Sequence, residues 1–136
     1  MVELTASYEG TLRCSTTHVP SGATFETDAP VDNCGRGERH SPTDLVATAL
    51  GTCIITTMGI FAQRHEVDLT GTKVRVEKHM TGELPRRIAR LVTHITIPLP
   101  EDHSQRSALE KVGMNCPVHL SLHPDVERPV VFEWNG

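Results

Sequence analysis

Val2, Leu4, Ala6 and Tyr8 alternate with polar residues, the period of a strand with one face buried. Glu9-Gly10 predicts a turn, and TLRCSTTHV, rich in Thr, predicts the returning strand. PSGATFETDAPVDNCGRGERH is crowded with Pro, Gly, Asp and Asn, and reads as a long connection with a short strand around Ala23 to Glu26. At Ser41 the pattern changes. Ser41 suits an N-cap, Pro42 the first helical position and Asp44 the acid of a capping box, so a helix is expected from there to about His65. Val46, Ala49, Leu50, Cys53, Thr57, Ile60 and Phe61 share one face at helical spacing, with Cys53 at its centre. Thr48, Thr52 and Thr56 form a neighbouring small-residue ridge that would let a second helix approach closely.

Beyond Asp68 the period returns to two. Lys73 to Glu77 alternate, MTGELPRR turns, and Leu91, Thr93, Ile95, Ile97 and Leu99 line one face of a longer strand stopped by Pro98 and Pro100. SQRSALEKV predicts a second helix closed by Gly113 at a C′ position. CPVHLSL predicts a short helical turn with Cys116 at its N-cap and Pro117 at its first position, and PVVFEW a final strand. The order is that of an α+β fold, and 136 residues without repeats or linkers are expected to form a single domain over 1–136.

Composition narrows the function. With 38% hydrophobic and 22% charged residues the chain reads as soluble and globular. A net charge of −4 with scattered Lys and Arg argues against nucleic-acid binding, which needs a basic patch. Leu45 to Ala62 has no charged residue and reaches the lower limit of a membrane span. Its Thr and Gly content, without aromatic or basic flanks, reads instead as a buried core helix, so no membrane partner is expected. MVELTASYEG has neither a basic n-region nor an apolar h-region, and the expectation is a cytoplasmic protein.

In that reducing compartment the four cysteines, 14, 34, 53 and 116, would persist as thiols, and any disulfide would be transient. Taken alone, Cys53 packs like a small hydrophobe and lies about three turns past the helix start, beyond the reach of the dipole. A reactive thiolate there needs a cation from elsewhere in the fold. Cys116, at an N-cap, faces free backbone N–H groups that would lower its pKa, so the local argument makes it the more acidic thiol. Cys14 and Cys34 read as incidental.

SPTDLVATALGTCIITTM followed by MNCPVHLSL, with YEGTLR and DAPVDNCGRGE upstream, resembles the OsmC/Ohr family of thiol-dependent peroxidases. The resemblance covers nearly the whole chain and is closest to the broad OsmC-like branch. It implies antiparallel sheets, a long central cysteine-bearing helix and an intertwined homodimer with its active sites at the interface. It implies an oxidative-stress enzyme that reduces organic hydroperoxides, and hydrogen peroxide less efficiently, with no cofactor. Cys53 matches the peroxidatic residue and Cys116 the resolving one. An external dithiol, a lipoylated protein by family resemblance, would complete the cycle. The two sulfurs, far apart in sequence, are expected to become neighbours only on assembly. Arg13 matches the family's active-site arginine, with Arg36 and Arg39 as substitutes. The family's glutamate falls at Thr43, which leaves the adjacent Asp44 either as a catalytic acid or as a helix cap alone. Leu50, Ile54 and Phe61 are candidates to hold an apolar substrate.

Other readings stay open. Cys116, His119 and His123 have C-x₂-H-x₃-H spacing, which could place three metal ligands on one face. The missing glutamate would also suit a non-enzymatic binding protein for an apolar ligand. A cysteine hydrolase is the weakest alternative, because no His or Asn pairs visibly with Cys53.

Overall fold

A computed structural model describes all residues, 1–136. The chain forms two compact units, residues 1–46 and 47–136. Its elements are β1 (Leu4–Gly10), β2 (Arg13–His18), β3 (Thr24–Asp28), a 3-10 turn (Val31–Asn33), α1 (Pro42–Arg64), β4 (Lys73–Met80), β5 (Ile88–Ile97), α2 (Arg106–Gly113), α3 (Pro117–Ser121) and β6 (Val130–Trp134). This is the α+β order read from the sequence.

The first unit is an antiparallel meander, β1-β2-β3. Its first turn falls later than Glu9-Gly10: Thr11 and Leu12 take positive φ values of 53° and 62°, the twist that joins a two-residue hairpin. Cross-strand register sets Arg13 opposite Asp28 and Ser15 opposite Glu26, so their side chains share one face of the sheet. Little is buried here. Thr27, Asp28 and Ser41 are the buried residues, while Leu4, Tyr8 and Phe25 are more than half exposed.

In the second unit β5 is the central strand of β4-β5-β6. β4 pairs with β5 antiparallel, as expected for a hairpin. β6 departs from the antiparallel expectation and joins β5 parallel, Thr93 opposite Val130 through Ile97 opposite Trp134. The excursion through α2 and α3 returns the chain to the starting end of the sheet, which a parallel pairing requires. Leu91, Thr93, Ile95 and Ile97 are all buried on one face of β5, as their alternation predicts.

The start of α1 forms as expected: the Asp44 backbone N–H donates to Ser41 Oγ at 3.0 Å, and the Ser41 N–H donates to Asp44 Oδ2 at 2.9 Å. Its face does not. The buried side is Ala47, Leu50, Gly51, Ile54, Met58 and Ala62, about one residue around from the expected stripe. Ile60 is half exposed, and Thr48, Thr52 and Thr56 are exposed, so no helix packs on the threonine ridge within the chain. A helix apolar on every side carries no periodicity to choose a face, and shape chooses instead. A Cβ on Gly51 would sit 2.8 Å from Val76 Cγ2 and 3.0 Å from Val74 Cγ2, so β4 lies against bare helix backbone. α1 is also long and apolar enough to cross a membrane, with a third of that window buried.

Gly113 is the last residue of α2 rather than a left-handed C′, and Met114 after it is still right-handed. The reason for glycine there is room: a Cβ would stand 3.1 Å from Ile54 Cγ2 and from Met58 Cγ and Sδ. That contact seats the end of α2 on α1, immediately before Cys116.

Candidate active site

Cys53 and Cys116 are both free thiols, the first half-buried and the second with no exposed surface. Cys53 is a close enough neighbour of Cys116 to push its thiol pKa up. The two therefore meet inside one chain, which overturns the expectation that only assembly brings them together. The packing of α2 onto α1 through Gly113 closes the long sequence separation without a second copy.

The short helix α3 forms where expected, with Cys116 as N-cap in an extended conformation and Pro117 following. The His119 backbone N–H donates to Cys116 Sγ at 3.3 Å. The acidity expected of this N-cap is not realised. Burial pushes the Cys116 thiol above its ordinary pKa; the His119 and Val118 N–H groups pull it down by less, and the neighbouring Cys53 pushes it further up. At neutral pH Cys116 is a protonated thiol.

Arg13 belongs to the first unit. Its Nε donates to Asp28 Oδ1 at 2.7 Å and its Nη2 to Asp28 Oδ2 at 2.9 Å, a bidentate pair. Asp28 is 1% exposed, so the buried carboxylate depends on the guanidinium for its charge partner. Glu38 lies 3.7 Å and Glu26 4.0 Å from the same arginine. The pairing raises the Arg13 pKa, chiefly through the Asp28 hydrogen bonds, and holds the Asp28 carboxyl below its ordinary range. Asp28 is thus the acid that orients Arg13. The one-to-one register of β2 and β3 is the signal that could have revealed it. Asp44 spends one carboxylate oxygen on the helix cap. Thr43, at the position of the family glutamate, shares a hydroxyl contact of 3.2 Å with Ser41.

The substitutes for Arg13 face other groups. Arg36 donates to Thr11 Oγ1, and Arg39 donates to the Glu38 carbonyl at 3.1 Å and lies 3.9 Å from Glu26. Arg39 also lines an open cleft of about 820 Å³ on the first unit, together with Glu9, Ser15, Phe25, Glu26 and His40.

Of the apolar candidates, Leu50 and Ile54 are fully buried on the core face of α1 and offer no surface to a ligand within the chain. Phe61 is half-buried and stacks on His65 with ring centroids 3.9 Å apart. The same one-residue rotation of the helix face accounts for the difference. The Cys116-His119-His123 spacing does not form a ligand set either, because His123 Nδ1 accepts from the Asp125 N–H at 3.1 Å. No group of three or more His, Cys, Asp or Glu side chains converges as metal ligands.

Two free thiols thus neighbour each other, one on a core helix and one at a helix cap, in an α+β fold with a long central helix. The family model described as OsmC-like protein matches residues 35–128, and the chain belongs to that family. A crystal structure from Psychrobacter arcticus, ascribed to osmotic-stress induction and detoxification response, is 39% identical, with a TM-score of 0.91 over 98% of this chain and 96% of that one. An organic hydroperoxide resistance protein from Legionella pneumophila shares the fold at 14% identity, with a TM-score of 0.77 over 98% and 96% of the two chains. One from Elizabethkingia anophelis shares it at 15% identity, with a TM-score of 0.78 over 99% and 96%. None of the curated proteins compared gives a significant match.

Proposed function

We propose that this OsmC-family member, as one domain over 1–136, is a cytoplasmic two-cysteine peroxidase that reduces organic hydroperoxides, and hydrogen peroxide less efficiently. The Cys53 thiolate attacks the O–O bond, the alcohol leaves, and Cys53 becomes a sulfenic acid. Cys116 displaces water from that sulfenic acid to form the Cys53–Cys116 disulfide, which an external dithiol such as a lipoylated protein reduces. No metal or organic cofactor takes part, since sulfur carries the electrons. The observation that supports this reading above all is that two free thiols, distant in sequence, are neighbours within one chain.

By family resemblance Arg13 is the candidate active-site guanidinium, held by Asp28 rather than by an acid at position 43. The active form is a homodimer. The outward apolar residues Leu4, Tyr8 and Phe25 and the largely uncovered α1 support this, because a meander with so few buried residues is marginal by itself.

Titration with one equivalent of an organic hydroperoxide, followed by mass analysis, tests the reading. The expected product has lost two hydrogens and gives one cross-linked peptide pair containing Cys53 and Cys116. Slow oxidation spread over all four cysteines would instead favour the non-enzymatic binding protein.

A further inference from the structure

We propose that Gly113 and Glu110, on the last turn of α2, are positioning residues that set how Cys116 is presented to Cys53, an inference that rests on the two-cysteine reading above. Neither is a reacting group. Both act through the helix that carries the chain into Cys116.

The last turn of α2 is held on two sides. Gly113 lies against α1, where a Cβ would stand 3.1 Å from Ile54 Cγ2 and from Met58 Cγ and Sδ. Ile54 directly follows Cys53, and both contact residues are without exposed surface. From β6, the Trp134 indole donates through Nε1 to Glu110 Oε1 at 2.8 Å. Arg106 donates through Nε to the same oxygen at 3.2 Å and lies over the Trp134 ring, 5.8 Å from its centroid.

Backbone hydrogen bonds pass this placement on to the cysteine. The Met114 N–H donates to the Glu110 carbonyl at 3.1 Å, and the Cys116 N–H donates to the Gly113 carbonyl at 3.3 Å. One glycine therefore touches the residue after Cys53 and holds the backbone of Cys116. Alanine forms helix better than glycine, so propensity does not explain Gly113; close approach to α1 does. In a close-packed interior an added methyl displaces a neighbour, here α1 or α2. A disulfide tolerates little displacement, because its Cα atoms must stand about 4.4–6.8 Å apart.

This placement controls the balance between thiols and disulfide. An external dithiol passes two electrons and two protons to the Cys53–Cys116 disulfide, giving two protein thiols and its own cyclic disulfide. The equilibrium depends on how well the folded chain presents one sulfur to the other. A merely structural residue would destabilise the oxidised and reduced proteins equally and leave that equilibrium unmoved.

The test uses the full chain carrying Cys14→Ser and Cys34→Ser, so that a single disulfide can form. Equilibration with graded ratios of reduced and oxidised dithiothreitol, followed by thiol alkylation and mass analysis, gives the midpoint. Gly113→Ala should make the disulfide about tenfold easier to reduce. Adding Met58→Ala to that variant should return the midpoint toward the parent, because the new methyl then has room. Trp134→Phe, which keeps a ring but loses the donor to Glu110, should shift the midpoint about threefold in the same direction. Glu110→Gln, which keeps an oxygen for the indole, should not; this pair carries the test if the glycine variants misfold. A parent midpoint in Gly113→Ala, no recovery on adding Met58→Ala, or a parent midpoint in Trp134→Phe overturns the proposal. The exchange uses no peroxide. A parent that forms the disulfide yet consumes no hydroperoxide would therefore remove the peroxidase reading and leave the positioning roles standing.

Discussion

At the residue scale, the proposed peroxidase gives Cys53 and Cys116 unequal parts. Cys116 is buried and protonated beside a half-exposed Cys53, the order of reactivity that a first attack by Cys53 requires. Cys53→Ser should abolish hydroperoxide consumption in a coupled peroxide assay. Cys116→Ser should consume one equivalent and then stall with a dithiol; sustained turnover would remove its resolving role. The raised Cys116 pKa also has a sign in stability. Its contribution is complete below the ordinary thiol range and is lost as pH rises through the folded value, because the unfolded thiol ionises first. Asp28 works the other way, contributing above the ordinary carboxyl range and losing that contribution as pH falls through its lowered value. Denaturation midpoints should therefore show Asp28→Asn most damaging near neutrality, with the gap to the parent closing in acid.

At the element scale α1 shows what a local pattern can and cannot decide. Its start is written in neighbouring residues, with Ser41 and Asp44 capping each other through side chain and backbone on either side of Pro42. Its buried face depends on partners distant in sequence, β4 against Gly51 and the end of α2 against Ile54 and Met58. Leu50→Ala should cost about 2–5 kcal/mol in urea unfolding, as a fully buried leucine loses both transfer energy and packing. Gly51→Val should cost about 1–3 kcal/mol for the opposite reason, because it adds volume where Val74 and Val76 already sit. Normal stability in both would return the core to the Cys53 stripe.

At the scale of the whole molecule, the two units differ in how much they bury. The second has a contiguous core of Leu50, Ile54, Met58, Leu91, Ile95, Ile97 and Leu109, all without exposed surface. The first has almost none and carries its apolar side chains outward. A proposed dimer that covers Leu4 and Phe25 should dissociate when both become aspartate, which sedimentation would show as a halved mass. If the double variant keeps the parent's mass and shape, those strands are not the interface.

What the sequence by itself determined are features that need only near neighbours: the strand alternation of β5, the capped start of α1, the Cys116-Pro117 helix start and the α+β order. Hydrogen bonds between adjacent residues and a two- or 3.6-residue period suffice for these. Tertiary structure decided the rest. It turned α1 toward its glycine, set β6 parallel, gave Arg13 to Asp28 and placed two distant sulfurs together. Each of those outcomes depends on which surfaces meet in space, and burial at Cys116 outweighed the local helix-cap effect that pointed toward an acidic thiol.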